Sequence, residues 1–115
     1  MSERRILGLT ESVILIAELG EEQVLARIDT GATSSSIDLK LAQKLGLGPI
    51  HKSNTVRSAS GMEERPFVRA KVKINDYIIE GEFSLADRRH MTYKVLIGQN
   101  VLKKGKFLID PLKRK

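Results

Sequence analysis

Between Val68 and Leu85 the chain alternates. Val68, Ala70, Val72 and Ile74 are apolar, while Arg69, Lys71 and Lys73 between them are charged. Successive strand side chains point to opposite faces, so a period of two buries one face and wets the other. A helical period would carry those cations into the core. Asn75-Asp76 follows, and both residue types tolerate positive φ, which suits a two-residue hairpin turn. Tyr77 to Leu85 then returns as a strand with Tyr77, Ile79, Gly81, Phe83 and Leu85 on one side.

The same period governs most of the chain. Val13–Glu18 reads as a strand, Leu19–Glu22 as a turn, and Val24–Ile28 as the returning strand. That last run is apolar nearly throughout, which predicts burial on both faces. Tyr93–Ile97 is a final buried strand, and Phe107–Pro111 closes with a short one. Asp38 can cap a helix carrying Leu39, Ala42 and Leu45 on one face and stopped by Gly46. Gln99–Lys104 predicts one or two helical turns stopped by Gly105. After a break at Gly48-Pro49, the polar stretch His51–Arg65 predicts a mobile loop or a loosely held hairpin. Ala86–His90 is a charged loop. The expected class is all-β with one or two short helices, and 115 residues fit a single domain, 1–115.

Composition narrows the chemistry. Cysteine is absent, which removes disulfides and thiolate catalysis and fits a cytoplasmic protein. No apolar run is long enough to span a bilayer, and Met1–Arg5 lacks signal-peptide features, so no membrane partner is expected. Only His51 and His90 are present, so no metal site is expected. No phosphate-binding glycine loop occurs, and no cofactor is expected. The net charge of +6 favours acidic partners, although a well-solvated surface explains it equally well. Lys103, Lys104, Lys106, Lys113, Arg114 and Lys115 have no aromatic interleaving for base stacking, so nucleic acid is not an expected partner.

The informative constellation is Ile28-Asp29-Thr30-Gly31-Ala32. An apolar strand delivers a carboxylate into a sharp turn, where its burial needs hydrogen bonds. Asp-Thr-Gly alone is weak, because Asp before Gly at a strand end is usually just a turn. A second element, Val95-Leu96-Ile97-Gly98-Gln99-Asn100-Val101-Leu102, sets an apolar strand and a glycine before a short amphipathic turn.

With both elements in this order, the chain resembles the retropepsins, the single-lobed aspartic proteases of retroviral type. Adding Thr33-Ser34-Ser35 and Phe107-Leu108-Ile109-Asp110-Pro111, it resembles more closely a retropepsin-like family once labelled putative ATP-dependent zinc proteases. The resemblance implies a single-lobed acid-protease barrel. It implies an aspartic peptidase in which Asp29, Thr30 and Gly31 form the catalytic turn. Ala32 beside them and the flap residues Ser58, Ala59, Ser60 and Gly61 would contact substrate. Leu96, Ile97, Gly98 and Asn100 would support the turn. Members of that family often accompany ATP-grasp ligases that add glutamates, and some are linked to trimming such tails. A functional link to such a ligase and an acidic, glutamate-rich substrate are therefore expected.

This route to hydrolysis needs two carboxylates sharing one proton. One Asp-Thr-Gly is present, so the resemblance implies a homodimer that brings Asp29 to the partner's Asp29. Leu7–Leu9 and Phe107–Ile109 are the expected dimer edges. Arg57, Arg65, Arg69 and Arg88 flank the expected flap and cleft and suit an acidic peptide. Two positions depart from the retropepsin pattern. Gln99 stands where Arg is common and Thr33 where an acidic residue often pairs with it, so a hydrogen bond is expected in place of the charge pair. The serines, including Ser34, Ser35 and Ser36, read as surface hydroxyls, with Ser34 and Ser35 able to bond around the turn. A non-catalytic dimerisation or peptide-binding module of the same fold is the alternative function.

Overall fold

The computed structural model describes residues 4–58 and 61–114. The chain runs β1 (Ile6–Leu7), β2 (Thr10–Ala17), β3 (Gly20–Ile28), β4 (Ser35–Asp38), α1 (Leu39–Leu45), β5 (Lys52–Ser58), β6 (Gly61–Ile74), β7 (Tyr77–Ala86), β8 (Val95–Ile97), α2 (Gln99–Gly105) and β9 (Leu108–Ile109). The main sheet has the order β2-β3-β8-β4-β7-β6-β5, and an extra β2–β6 pairing closes six of these strands into a barrel. The class is all-β with two short helices among the described residues, a retropepsin-like single-lobed barrel. Among the described residues no helix is long and apolar enough to cross a membrane.

The alternation that opened the sequence sets the barrel wall. Val68, Ala70, Val72 and Ile74 are all buried, and Asn75-Asp76 turns the chain with Asn75 at φ 56°. β6 pairs antiparallel with β7 from Phe67↔Ser84 to Ile74↔Tyr77. Burying one such Val or Ile side chain stabilises by about 1.5–3 kcal/mol. β3 corrects the expectation of two buried faces. Ala26 and Ile28 are buried, Val24 and Leu25 are half-buried, and Arg27 is exposed. A barrel wall has one outer face, and the β2–β3 hairpin forms part of that wall.

Asp38 does cap α1, its carboxylate accepting from the Leu41 amide, and Gly46 ends the helix at φ 71°. The buried face carries Leu41, Ala42 and Leu45, while Leu39, first after the cap, is exposed. Gly105 lies inside α2 and does not stop it. Lys106 takes the left-handed position, and a side chain on Gly105 would collide with the Phe107 ring. His51–Arg65 is more ordered than a loop. β5 and the first part of β6 pair in register from Lys52↔Phe67 to Ser58↔Gly61.

The two expected dimer edges pair within the chain, Ile6 with Leu108 and Leu7 with Ile109, as a parallel two-stranded ribbon. Lys113 clamps it, donating to the buried Glu11 carboxylate and to the Ile6 carbonyl, both at 2.8 Å.

Candidate active site

Asp29 sits where β3 leaves the barrel. Its amide donates to the Ile97 carbonyl at 2.9 Å, so β8 fixes the backbone under the carboxylate. The side chain is half-buried, and its Oδ1 accepts from the Gly31 amide at 2.9 Å. No described residue donates to Oδ2. A Cβ on Gly31 would lie 3.3 Å from Oδ1, so glycine here keeps space beside the carboxylate. The Thr30 side chain is exposed, and its hydroxyl has no partner among the described residues.

The supporting elements converge on this turn from β8 and α2. The Gln99 amide donates to the Ala32 carbonyl at 2.8 Å, and the Asn100 amide to the Thr33 carbonyl at 3.2 Å. A Cβ on Gly98 would meet the Ser34 backbone and lie 2.8 Å from the Ala32 carbonyl, so nothing larger than hydrogen fits. Ile97 is buried beneath Asp29, and Leu96 is half-buried beside the groove. Gln99 does form a hydrogen bond in place of a charge pair, but not toward Thr33. Its Nε2 donates to the Thr30 carbonyl at 2.8 Å. The glutamine side chain is shorter than arginine's and bonds the backbone of the turn itself.

Ser35 and Ser36 correct the surface reading. Both are buried in β4. Ser35 Oγ accepts from the Gly98 amide at 2.9 Å and donates to Asn100 Oδ1 at 2.8 Å. Asn100 Nδ2 then donates to the Glu82 carbonyl at 2.9 Å, tying β4, α2 and β7 together. Polar strands of this kind escape a hydrophobicity reading. The available signal was Ile37 set between two serines and a helix cap, which marks a short buried segment.

A groove of about 670 Å³ opens beside the turn. Gly31, Ala32, Thr33 and Ser34 line one side, and Asn54 to Arg57 with Arg65 line the other. Ala32 thus lies in the groove as expected. Of the expected flap contacts, Ser58 and Gly61 pair at the far end of the β5–β6 hairpin, and Gly61 is not among the described lining residues of the groove. Ala59 and Ser60 lie outside the described residues. The hairpin's middle meets the groove because its strands run past it before turning. Arg57, Arg65 and Arg88 line the groove, but Arg69 does not; it pairs across from Glu82 on the outer wall. Asp29 is adjacent to the groove, and no Asp or Glu is among its lining residues. A second hollow of about 450 Å³, mostly apolar, is lined by Thr30, Gln99, Leu102, Phe107 and Ile109 with a rim including Arg4 and Lys103.

Comparison with known proteins bears on family and fold. A family described as retropepsin-like aspartic endopeptidase RimB matches residues 42–115. A probable alpha-L-glutamate ligase of Desulfotalea psychrophila (strain LSv54 / DSM 12343) is 26% identical over 94% of the chain. The chain spans only 28% of that relative's length. Lpg0085 of Legionella pneumophila subsp. pneumophila str. Philadelphia 1, a protein of unknown function, has the same fold, with a TM-score of 0.69 over 96% of both chains at 22% identity.

Proposed function

This chain belongs to the RimB-like family of retropepsin-like aspartic endopeptidases, and on that premise we propose that it hydrolyses peptide bonds as a two-fold homodimer with paired Asp29 carboxylates. The observation that carries this reading is the turn itself. A half-buried carboxylate is held by one amide through Oδ1, no described residue donates to Oδ2, and it borders a groove with no Asp or Glu among its described lining residues.

Two carboxylates about 4 Å apart repel by roughly 4 kcal/mol at an effective dielectric near 20, about three pK units. One therefore holds a proton while the other is ionised, and the titration belongs to the pair. The ionised Asp29 takes a proton from water as that water attacks the scissile carbonyl carbon. The protonated partner gives its proton to the carbonyl oxygen, forming a diol; Asp29 then passes the water's proton to the amide nitrogen as the ionised partner takes one back from the diol, and the C–N bond breaks to release the amine and the acid. In the proposed dimer the Thr30 hydroxyl, without a partner among the described residues, is available to the second copy, and the apolar hollow beside it supports an approach there. Gly31 leaves room for substrate backbone.

The substrate class we infer is an acidic, glutamate-rich segment, cut in functional partnership with an ATP-grasp ligase. Three arginines in the groove support it, as does the relative named as a glutamate ligase. Asp29→Asn is the test. It should abolish hydrolysis of glutamate-rich peptides while circular dichroism and sedimentation stay unchanged. Undiminished turnover in a clean preparation sinks the reading, and saturable peptide binding without cleavage by the wild type would mark a binding module instead.

A further inference from the structure

We propose that Arg88 selects the substrate, its guanidinium gripping one side-chain carboxylate of a peptide lying beside Asp29. This rests on the peptidase reading above and assigns its specificity to a single residue.

Arg88 differs from the other groove arginines in how it is held. It follows the end of β7, and its amide donates to Asp38 Oδ1 at 2.7 Å. Its Nε donates to the Tyr93 carbonyl at 3.0 Å. Asp38 is itself buried, and its second oxygen caps α1 through the Leu41 amide. Backbone and side chain are thus both fixed before any ligand arrives, which reduces the ordering cost of binding. The two terminal nitrogens of Arg88 have no acceptor among the described residues, and no ion pair there involves it. Arg65 already pairs with Glu63, and Arg57 is exposed on β5.

The guanidinium is half-buried. That burial, with Arg65 nearby, pulls its pKa below the usual arginine value, while Asp38 and Asp29 oppose the fall. Arginine stays protonated across the working range, so Arg88 is a partly desolvated cation with no direct ion pair among the described residues. Its two free nitrogens offer the parallel donors that match a carboxylate. Arg88 lines the groove that Asp29 borders, and the Asp29 charge is felt at the guanidinium. A neutral amide isostere of glutamate would leave that cation unmatched.

The test uses tetraglutamine peptides with one Gln at a time replaced by Glu. Wild type should cleave one of these in preference by roughly tenfold to a hundredfold, the range of charge-assisted hydrogen bonds. Arg88→Met should erase the preference, and Arg88→Lys should retain only part of it, since a point charge lacks the fork. Lys71→Met removes one charge from the exposed outer wall and should leave the preference intact. Calorimetry with Asp29→Asn reads the same discrimination as binding alone, again lost when Arg88→Met is added. Arg88-dependent binding with no cleavage by wild type would refute the peptidase reading and uphold the role of Arg88. A Glu preference unchanged in Arg88→Met, or no preference at any position in wild type, would overturn the role.

Discussion

Replacing Ser35 by Ala tests how the turn is supported. The hydroxyl is fully buried and serves two groups, the Gly98 amide and Asn100 Oδ1. Alanine fits the space and leaves the buried Gly98 amide and the half-buried Asn100 Oδ1 without their partner. Each such loss costs about 1–3 kcal/mol, and partial relaxation brings the pair to roughly 2–4 kcal/mol. With an unfolding entropy of about 2.1 cal/mol/K per residue, 115 residues give about 0.24 kcal/mol/K, so Tm should fall by roughly 8–17 °C. Thermal melting and urea titration measure it, with the urea slope unchanged because the exposed area barely alters. Ser34→Ala is the control: that hydroxyl has no partner among the described residues, and its loss should stay within about 0.5 kcal/mol. A cycle with Asn100→Ala should show coupling of about 1 kcal/mol or more. Equal effects at Ser34 and Ser35, or additivity with Asn100, would refute the reasoning.

Three more outcomes are expected. Gly98→Ala drives a methyl into the Ser34 and Ala32 backbone and should destabilise by about 2 kcal/mol or more in urea titrations, since backbone cannot swing aside. Asp38→Ala removes a helix cap, costing about 1–2 kcal/mol, and releases the Arg88 amide, so it should also raise KM for Glu peptides. The hydrogen bond from His51, then Lys52, holds the Glu82 carboxyl below its ordinary value of 4.5, against a smaller opposing effect of burial. The unfolded chain therefore binds more protons in acid. The contribution of Glu82 is complete well above 4.5 and is lost as pH falls through the lower folded value, so Glu82→Gln should flatten the acid limb of stability measured by urea titration below about pH 5.

The strands with a clean period of two were legible, because alternation and burial are the same fact in a barrel wall. Val68 to Ile74 needed no correction. So was the turn, since Asp29 and Gly98 stand in short motifs whose spacing is local. What escaped the sequence was long-range and polar. Ser35 acquires its role only when Gly98 and Asn100 arrive from more than sixty positions away. Gly105 looked like a stop because glycines end helices, but its use is to admit the Phe107 ring. Arg69 and Arg88 look alike in sequence, and only the register with Glu82 puts one of them outside the groove.

The strand order has a consequence in time. β3 and β4 follow each other in the chain, yet they do not pair; β8 enters between them, parallel to one and antiparallel to the other. On a ribosome, the loop carrying Asp29 emerges with its floor missing and stays unsupported while some sixty further residues are made. Ile97, Gln99 and Asn100 then bind it in one step. The carboxylate thus reaches the geometry described above only after nearly all of this fold has been synthesised, and a half-made chain carries no assembled turn.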